Sequence, residues 1–182
     1  MIKKLAVFIL VAQLCLQVFA SQSLQAGGTG HRVELLQDRG YFETLLASIR
    51  EAKSEIVMAF FLFKTNGYKS SYPDIILNEL IEAARRGVRI RILLERGDNP
   101  ESQVDENNRE TALRLKEGGI DVSFDNPGRT THTKVLVIDR RYTLMGSHNL
   151  TSSALKYNHE LSFLVDSTKI AIETLEYIET LH

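Results

Sequence analysis

His132 and Lys134 stand two residues apart at the head of an apolar run that ends in Asp139. In an extended strand such residues project from the same face. A neutral imidazole beside a fixed ammonium suits attack on an anionic phosphorus centre. The lysine neutralises phosphate charge while the histidine serves as nucleophile or general acid. Ser147 and Asn149 repeat the two-residue spacing after the short run Tyr142–Met145. Their hydroxyl and amide supply further donors for phosphate oxygens. Glu160 heads the next strand candidate, where its carboxylate is placed to receive the second ring nitrogen of His132.

These residues need strands to aim them, and the chain alternates strand and helix patterns from Arg32 onward. Strands are expected over Val33–Leu36, Glu55–Phe63, Val88–Glu95, Ile120–Phe124, Lys134–Asp139, Tyr142–Met145 and Glu160–Val165. Helices are expected over Tyr41–Ser54, Asp74–Arg86 and Thr168–Leu181, each carrying an apolar stripe at helical spacing, and over Arg109–Glu117, closed by Gly118 and Gly119. The run EIVMAFFLF reads as a strand buried on both faces. Lys64–Pro73 and Arg96–Asn108 read as polar loops. The pattern predicts an α/β fold with a mixed, largely parallel β-sheet flanked by helices on both faces.

The spacing H-x-K-x4-D-x6-G-S-x-N is filled by His132, Lys134, Asp139, Gly146, Ser147 and Asn149, with Glu160 beyond. It resembles the HKD signature of the phospholipase D superfamily, and the order of elements over residues 33–181 is similar to that family's. No second H-x-K occurs. The chain therefore resembles the short, single-motif branch of secreted Nuc-type bacterial endonucleases and their mitochondrial relatives.

The resemblance implies a phospholipase D/nuclease fold and hydrolysis of phosphodiester bonds through a phosphohistidine on His132. It implies catalytic roles for His132, Lys134, Ser147, Asn149, Glu160 and Asp139, and no metal or cofactor. It also implies a homodimer whose active site lies on the two-fold interface. The substrate expected is DNA or RNA outside the cytoplasm. Phosphatidyl lipids are the alternative, because both are phosphodiesters, and Tyr68 and Tyr72 would then be the candidates for contact at a membrane surface. Lys134, Ser147, Asn149 and Arg129 are the substrate-binding candidates. Arg140, Arg141 and Lys156 are further candidates for a polyanion groove. Among these residues Asp139 has opposite strand parity to Lys134, which suits tying down a neighbouring turn. Gly146 suits close backbone approach, and His148, at a variable position of the signature, suits lining the cleft.

Composition sets the remaining bounds. The 182 residues are 43% hydrophobic and 25% charged, which excludes a disordered tail and a disulfide scaffold. Residues 1–20 read as a secretory signal peptide: Lys3 and Lys4, an apolar run, then Val18 and Ala20 before Ser21. An uncleaved membrane anchor is the alternative. Residues 21–31 read as a flexible leader and 32–182 as one catalytic domain, periplasmic or secreted. Cleavage would remove Cys15 and leave 20 basic against 23 acidic residues. An anionic substrate must then be held by a local patch rather than by overall charge.

Overall fold

A computed structural model describes residues 31–97, 102–126 and 128–181. The expected signal peptide, and all of the expected leader except His31, lie outside the described residues. Seven strands run β1 Arg32–Gln37, β2 Glu55–Phe60, β3 Arg89–Leu94, β4 Asp121–Phe124, β5 Lys134–Ile138, β6 Tyr142–Gly146 and β7 Leu161–Asp166. Five helices accompany them: α1 Arg39–Glu51, α2 Tyr72–Arg85, α3 Gln103–Glu117, α4 Ser152–Lys156 and α5 Thr168–Glu179.

The strands form one mixed sheet in the order β1-β7-β6-β5-β2-β3-β4. Parallel pairing is confined to β2–β3 and β3–β4. The other pairings are antiparallel, so parallel strands occupy one side of the sheet rather than most of it. The reason is local. The β5–β6 connection is too short for a crossover helix, and such connections make antiparallel neighbours. β2 and β5 lie side by side at the centre and are buried along their whole length. Helices cover both faces there, which is why these strands read as unbroken apolar runs.

One face packs against α1, α2, α3 and α4 through Leu45, Ile49, Leu80, Leu115 and Leu155 on the helices and Ile56, Met58, Phe60 and Leu136 on the sheet. Among the described residues the opposite face is covered by α5 alone, through Ala171, Leu175 and Ile178 against Val57, Ala59, Val135 and Val137. Beyond α5 the β7–β1 part of that face is left open by the described residues. Val33, Leu35, Leu161 and Phe163 share it and are 58%, 49%, 46% and 39% exposed.

Some expected boundaries moved, and one helix was not expected. α3 starts at Gln103, capped by Ser102, whose hydroxyl accepts from Val104 N at 3.3 Å. Residues 103–108 look polar enough for a loop, but Asp105, Asn108 and Thr111 form a buried polar stripe of the helix. The strand expected to reach Phe63 ends at Phe60, because Phe63 pairs with Leu150 in an isolated bridge instead. The short helix α4 was not visible in the periodicity; Thr151 caps it, accepting from Ala154 N at 3.2 Å.

Candidate active site

The ends of β2, β3, β4 and β6 and the starts of β5 and β7 meet at one edge of the sheet. In α/β sheets such an edge, beyond the carboxyl ends of parallel strands, is where ligands bind. His132, Lys134, Ser147, Asn149 and Glu160 all fall there, and Arg129 lies in the loop that leads from β4 to His132.

Lys134 opens β5 with only 8% of its surface exposed. Its Nζ donates to the backbone carbonyl of His132 at 2.8 Å and sits 5.0 Å from the centre of the Phe61 ring. That ring also meets the His132 imidazole, with centroids 4.5 Å apart. Burial, and then the Lys134 ammonium, push the His132 pKa below its usual 6.5. The imidazole is thereby kept neutral and nucleophilic. Burial also lowers the Lys134 pKa, and the Glu160 carboxylate opposes that shift.

His132 itself is exposed and lies between two concavities. One, of about 730 Å3, runs along the α5 face past Lys134, Met145, Phe163, Ile170 and Tyr177. The other, of about 520 Å3, is polar, and Asn126, Arg129, Thr130, Thr131 and Thr180 line it. Arg129 therefore lines the same concavity as His132.

Gly146 brings β6 and β7 into close register. A Cβ at this position would lie 2.2 Å from Ser162 Oγ, 2.4 Å from Ser162 Cα and 2.5 Å from Leu161 O. Ser147 follows directly. Its hydroxyl donates to Glu160 Oε2 and accepts from Leu161 N at 3.1 Å. Glu160 Oε1 accepts from Asn158 Nδ2 at 3.0 Å. Asn149 is half-buried, and its Oδ1 has no partner among the described residues.

Five expectations need correction. Glu160 does not receive the His132 ring: β6 lies between β5 and β7, so Ser147 stands where that contact was expected. Two strand spacings, about 10 Å, separate β7 from β5. Asp139, one of the catalytic candidates, is not in the site, and instead ties down a neighbouring turn, as its strand parity suits. It ends β5 at the opposite edge of the sheet, about 20 Å from His132 by strand rise. There its carboxylate accepts from Lys53 N, Ser54 N, Ser54 Oγ and Glu55 N at 2.7–3.0 Å. Burial opposes its charge, but these donors outweigh burial and hold its pKa below the ordinary value.

Arg140 and Arg141 lie at that same far edge, paired with Glu55 and Asp166, and do not line a groove. His148 does not line the cleft. It is fully buried, stacked on Tyr41 at 4.2 Å, with Nδ1 2.7 Å from Ser162 Oγ and Nε2 3.0 Å from Asp38 O. Tyr72, a candidate for surface contact, instead stacks on Phe42 at 4.0 Å.

Three positioning residues gave no sequence signal. Asn108 accepts from Phe63 N at 2.9 Å and donates to Phe61 O and Glu95 O, both at 2.9 Å. It thus pins the segment that carries the ring under His132 and Lys134. Asp38 holds the backbone of Glu160 through Oδ1 at 2.9 Å. Glu95 Oε2 accepts from Thr131 N and fixes the approach to His132. Each makes its contacts across the fold, so no spacing announces it. Among the described residues, no group of three or more His, Cys, Asp or Glu could hold a metal ion.

Comparison with known proteins agrees with the fold. Phospholipase D of Rickettsia prowazekii is 34% identical over 103 residues, which is 57% of this chain and 47% of that protein. The chain spans about half the length of the phospholipase D relatives it matches. The phospholipase D family member Nuc from Salmonella typhimurium superposes with a TM-score of 0.70 at 22% identity, covering 84% of this chain and 94% of that one. NucT from Helicobacter pylori superposes with a TM-score of 0.66 at 17% identity, covering 84% and 96%. A family model described as "Cardiolipin synthase, PLD-like domain" matches residues 45–182, and the chain belongs to that phospholipase D-like family.

Proposed function

We propose that this protein hydrolyses phosphodiester bonds of DNA or RNA outside the cytoplasm, without a metal, through a covalent intermediate on His132. The observation that carries the reading is the exposed, neutral His132 imidazole held beside the buried Lys134 ammonium. Attack by His132 forms an N–P bond as the P–O bond to the leaving group breaks. The partner's His132 gives its proton to the leaving oxygen. That same imidazole then takes a proton from water, whose oxygen displaces His132 from phosphorus. By symmetry both histidines start with the same depressed pKa. An anionic phosphate between them favours protonation of one, which sets the acid. Lys134, Asn149 and Arg129 offer donors to the non-bridging oxygens.

The two-step scheme needs a second histidine, and these 182 residues hold one HKD motif. The open apolar face of Val33, Leu35, Leu161 and Phe163 continues into the concavity beside His132. It suits a second copy docked about a two-fold axis at the site. The second reading is a phospholipase D acting on phosphatidyl lipids. The same apolar concavity favours it, with the face then taking an acyl chain instead of a partner.

Plasmid nicking in EDTA, with His132→Asn alongside, tests the reading, and sedimentation of the same sample gives its mass. Metal-free nicking by a dimer that His132→Asn abolishes supports it. A monomer that leaves plasmid intact and releases headgroup from phosphatidylcholine vesicles sinks it. Nicking that EDTA abolishes sinks the mechanism.

A further inference from the structure

A second feature lies at the same edge of the sheet, on the side of α1, α2 and α4. The loop after β2 and the end of α4 enclose a concavity of about 280 Å3, lined by Asn66, Tyr68, Ser70, Tyr72, Lys156 and Tyr157. Tyr68 and Tyr157 are each 71% exposed. Tyr72 is fixed by its stacking on Phe42. Lys156 Nζ stands 5.1 Å from the Tyr157 ring centre and 6.0 Å from that of Tyr72. Lys64 and Lys69, exposed on the same loop, add to the charge. Among the described residues none of these three lysines has an ion-pair partner.

The patch is tied to the site by short lengths of chain. Asn66 is five residues from Phe61, which touches His132. That spacing spans at most about 18 Å. On the other strand, α4 begins three residues after Asn149. Asn158, next to Tyr157, holds Glu160. A polymer whose scissile phosphate lies at His132 reaches the patch within a few nucleotides.

Aromatic faces interleaved with lysines are what a single strand needs: bases stack and phosphates find cations. Insertion into acyl chains needs aliphatic side chains, and Lys64–Ser71 contains none. The overall charge of −1 gives no general attraction for a polyanion, so a local patch must supply it.

We propose that the concavity between the Lys64–Ser71 loop and α4 holds a nucleotide of a single-stranded substrate displaced from the scissile phosphate. This rests on the nuclease reading and names a strand contact for it.

The test uses the full chain. Binding of a fluorescein-labelled 20-nucleotide strand is followed by anisotropy in the His132→Asn background, against salt. Hydrolysis of bis(4-nitrophenyl) phosphate, too small to reach the patch, reports the intact catalytic centre in the His132 protein. Tyr68→Ala with Tyr157→Ala should weaken strand binding about tenfold or more, whereas Tyr→Phe at both should retain it. Lys69→Ala should lower the salt slope by about 0.7. All these variants should hydrolyse the small substrate at the parent rate.

Parent-like strand binding by the Tyr→Ala pair, with hydrolysis intact, overturns the proposal and leaves the nuclease reading standing. So does a loss confined to vesicles of phosphatidylglycerol, which would make the patch a membrane contact. A parent protein that hydrolyses the small substrate but neither binds nor cuts the strand overturns both.

Discussion

Lys134 reaches back two residues to donate from Nζ to the backbone carbonyl of His132 at 2.8 Å. The ammonium is thereby held beside the imidazole of the same turn of chain while Phe61 shields one side of both. Two consequences follow for pH. The reactive imidazole is the neutral one, which exists above its pKa, and that pKa lies below 6.5 through burial and then Lys134. The acid limb of kcat/KM should therefore fall below pH 6.5. Lys134→Met removes the charge, so the limb should move up towards 6.5. Activity should drop about 10²–10³-fold with one transition-state donor gone. A pH–rate profile of both proteins on one small phosphodiester checks this, and an unmoved limb would show that the ammonium does not set it.

Asp139 belongs to stability and not to chemistry. Its carboxylate gathers donors from Lys53, Ser54 and Glu55, and it adopts a left-handed backbone with φ 50° to do so. Asp139→Ala should cost about 3 kcal/mol in urea unfolding, because several donors lose an ionised acceptor. The activity of the molecules that remain folded should match the parent. A low Asp139→Ala rate in a protein of parental stability would place the residue in catalysis after all.

Gly146→Ala should fail in a way that a neighbouring change cannot repair. The added Cβ meets Ser162 Oγ, but also Ser162 Cα and Leu161 O, which are backbone positions of β7. We expect a loss of about 3 kcal/mol or no soluble protein, and no rescue by Ser162→Gly. Thermal unfolding of the single and double variants measures it. Recovery in the double variant would show that only the hydroxyl is in the way.

His148 makes the fold sensitive to mild acid. It is buried, and burial lowers its pKa, with the Asp38 carbonyl and the Glu160 and Asp38 carboxylates opposing. The unfolded chain then binds a proton near pH 6.5 that the folded chain refuses, so stability falls as pH drops below 6.5. The slope is up to about 1.4 kcal/mol per pH unit for one such group. His148→Gln removes the titration and should flatten the slope, though it costs the stack on Tyr41. Urea midpoints between pH 7 and 5 decide it. An equal slope in the variant would assign the effect to another group, with His132, also depressed, the next in line.

The local pattern alone carried the strands, four of the helices, and the grouping of His132, Lys134, Ser147 and Asn149. Two-residue spacing at a strand mouth is a local geometric fact, and it survives whatever the rest of the chain does. Apolar periodicity likewise placed Leu45 and Ile49 on α1 and Ala171, Leu175 and Ile178 on α5, since one face of each must meet the sheet. Strand order was not local. Placing β6 between β5 and β7 gave Glu160 to Ser147 instead of His132, whereas the length of β5 alone carries Asp139, Arg140 and Arg141 to the far edge. In the sequence Asn108 reads as the end of a polar loop and His148 as lining the cleft. Their burial depends on partners 45 and 110 residues away, Phe63 and Asp38. Such partners are chosen when the sheet closes, because a buried polar group must be satisfied by whatever the packed chain brings to it.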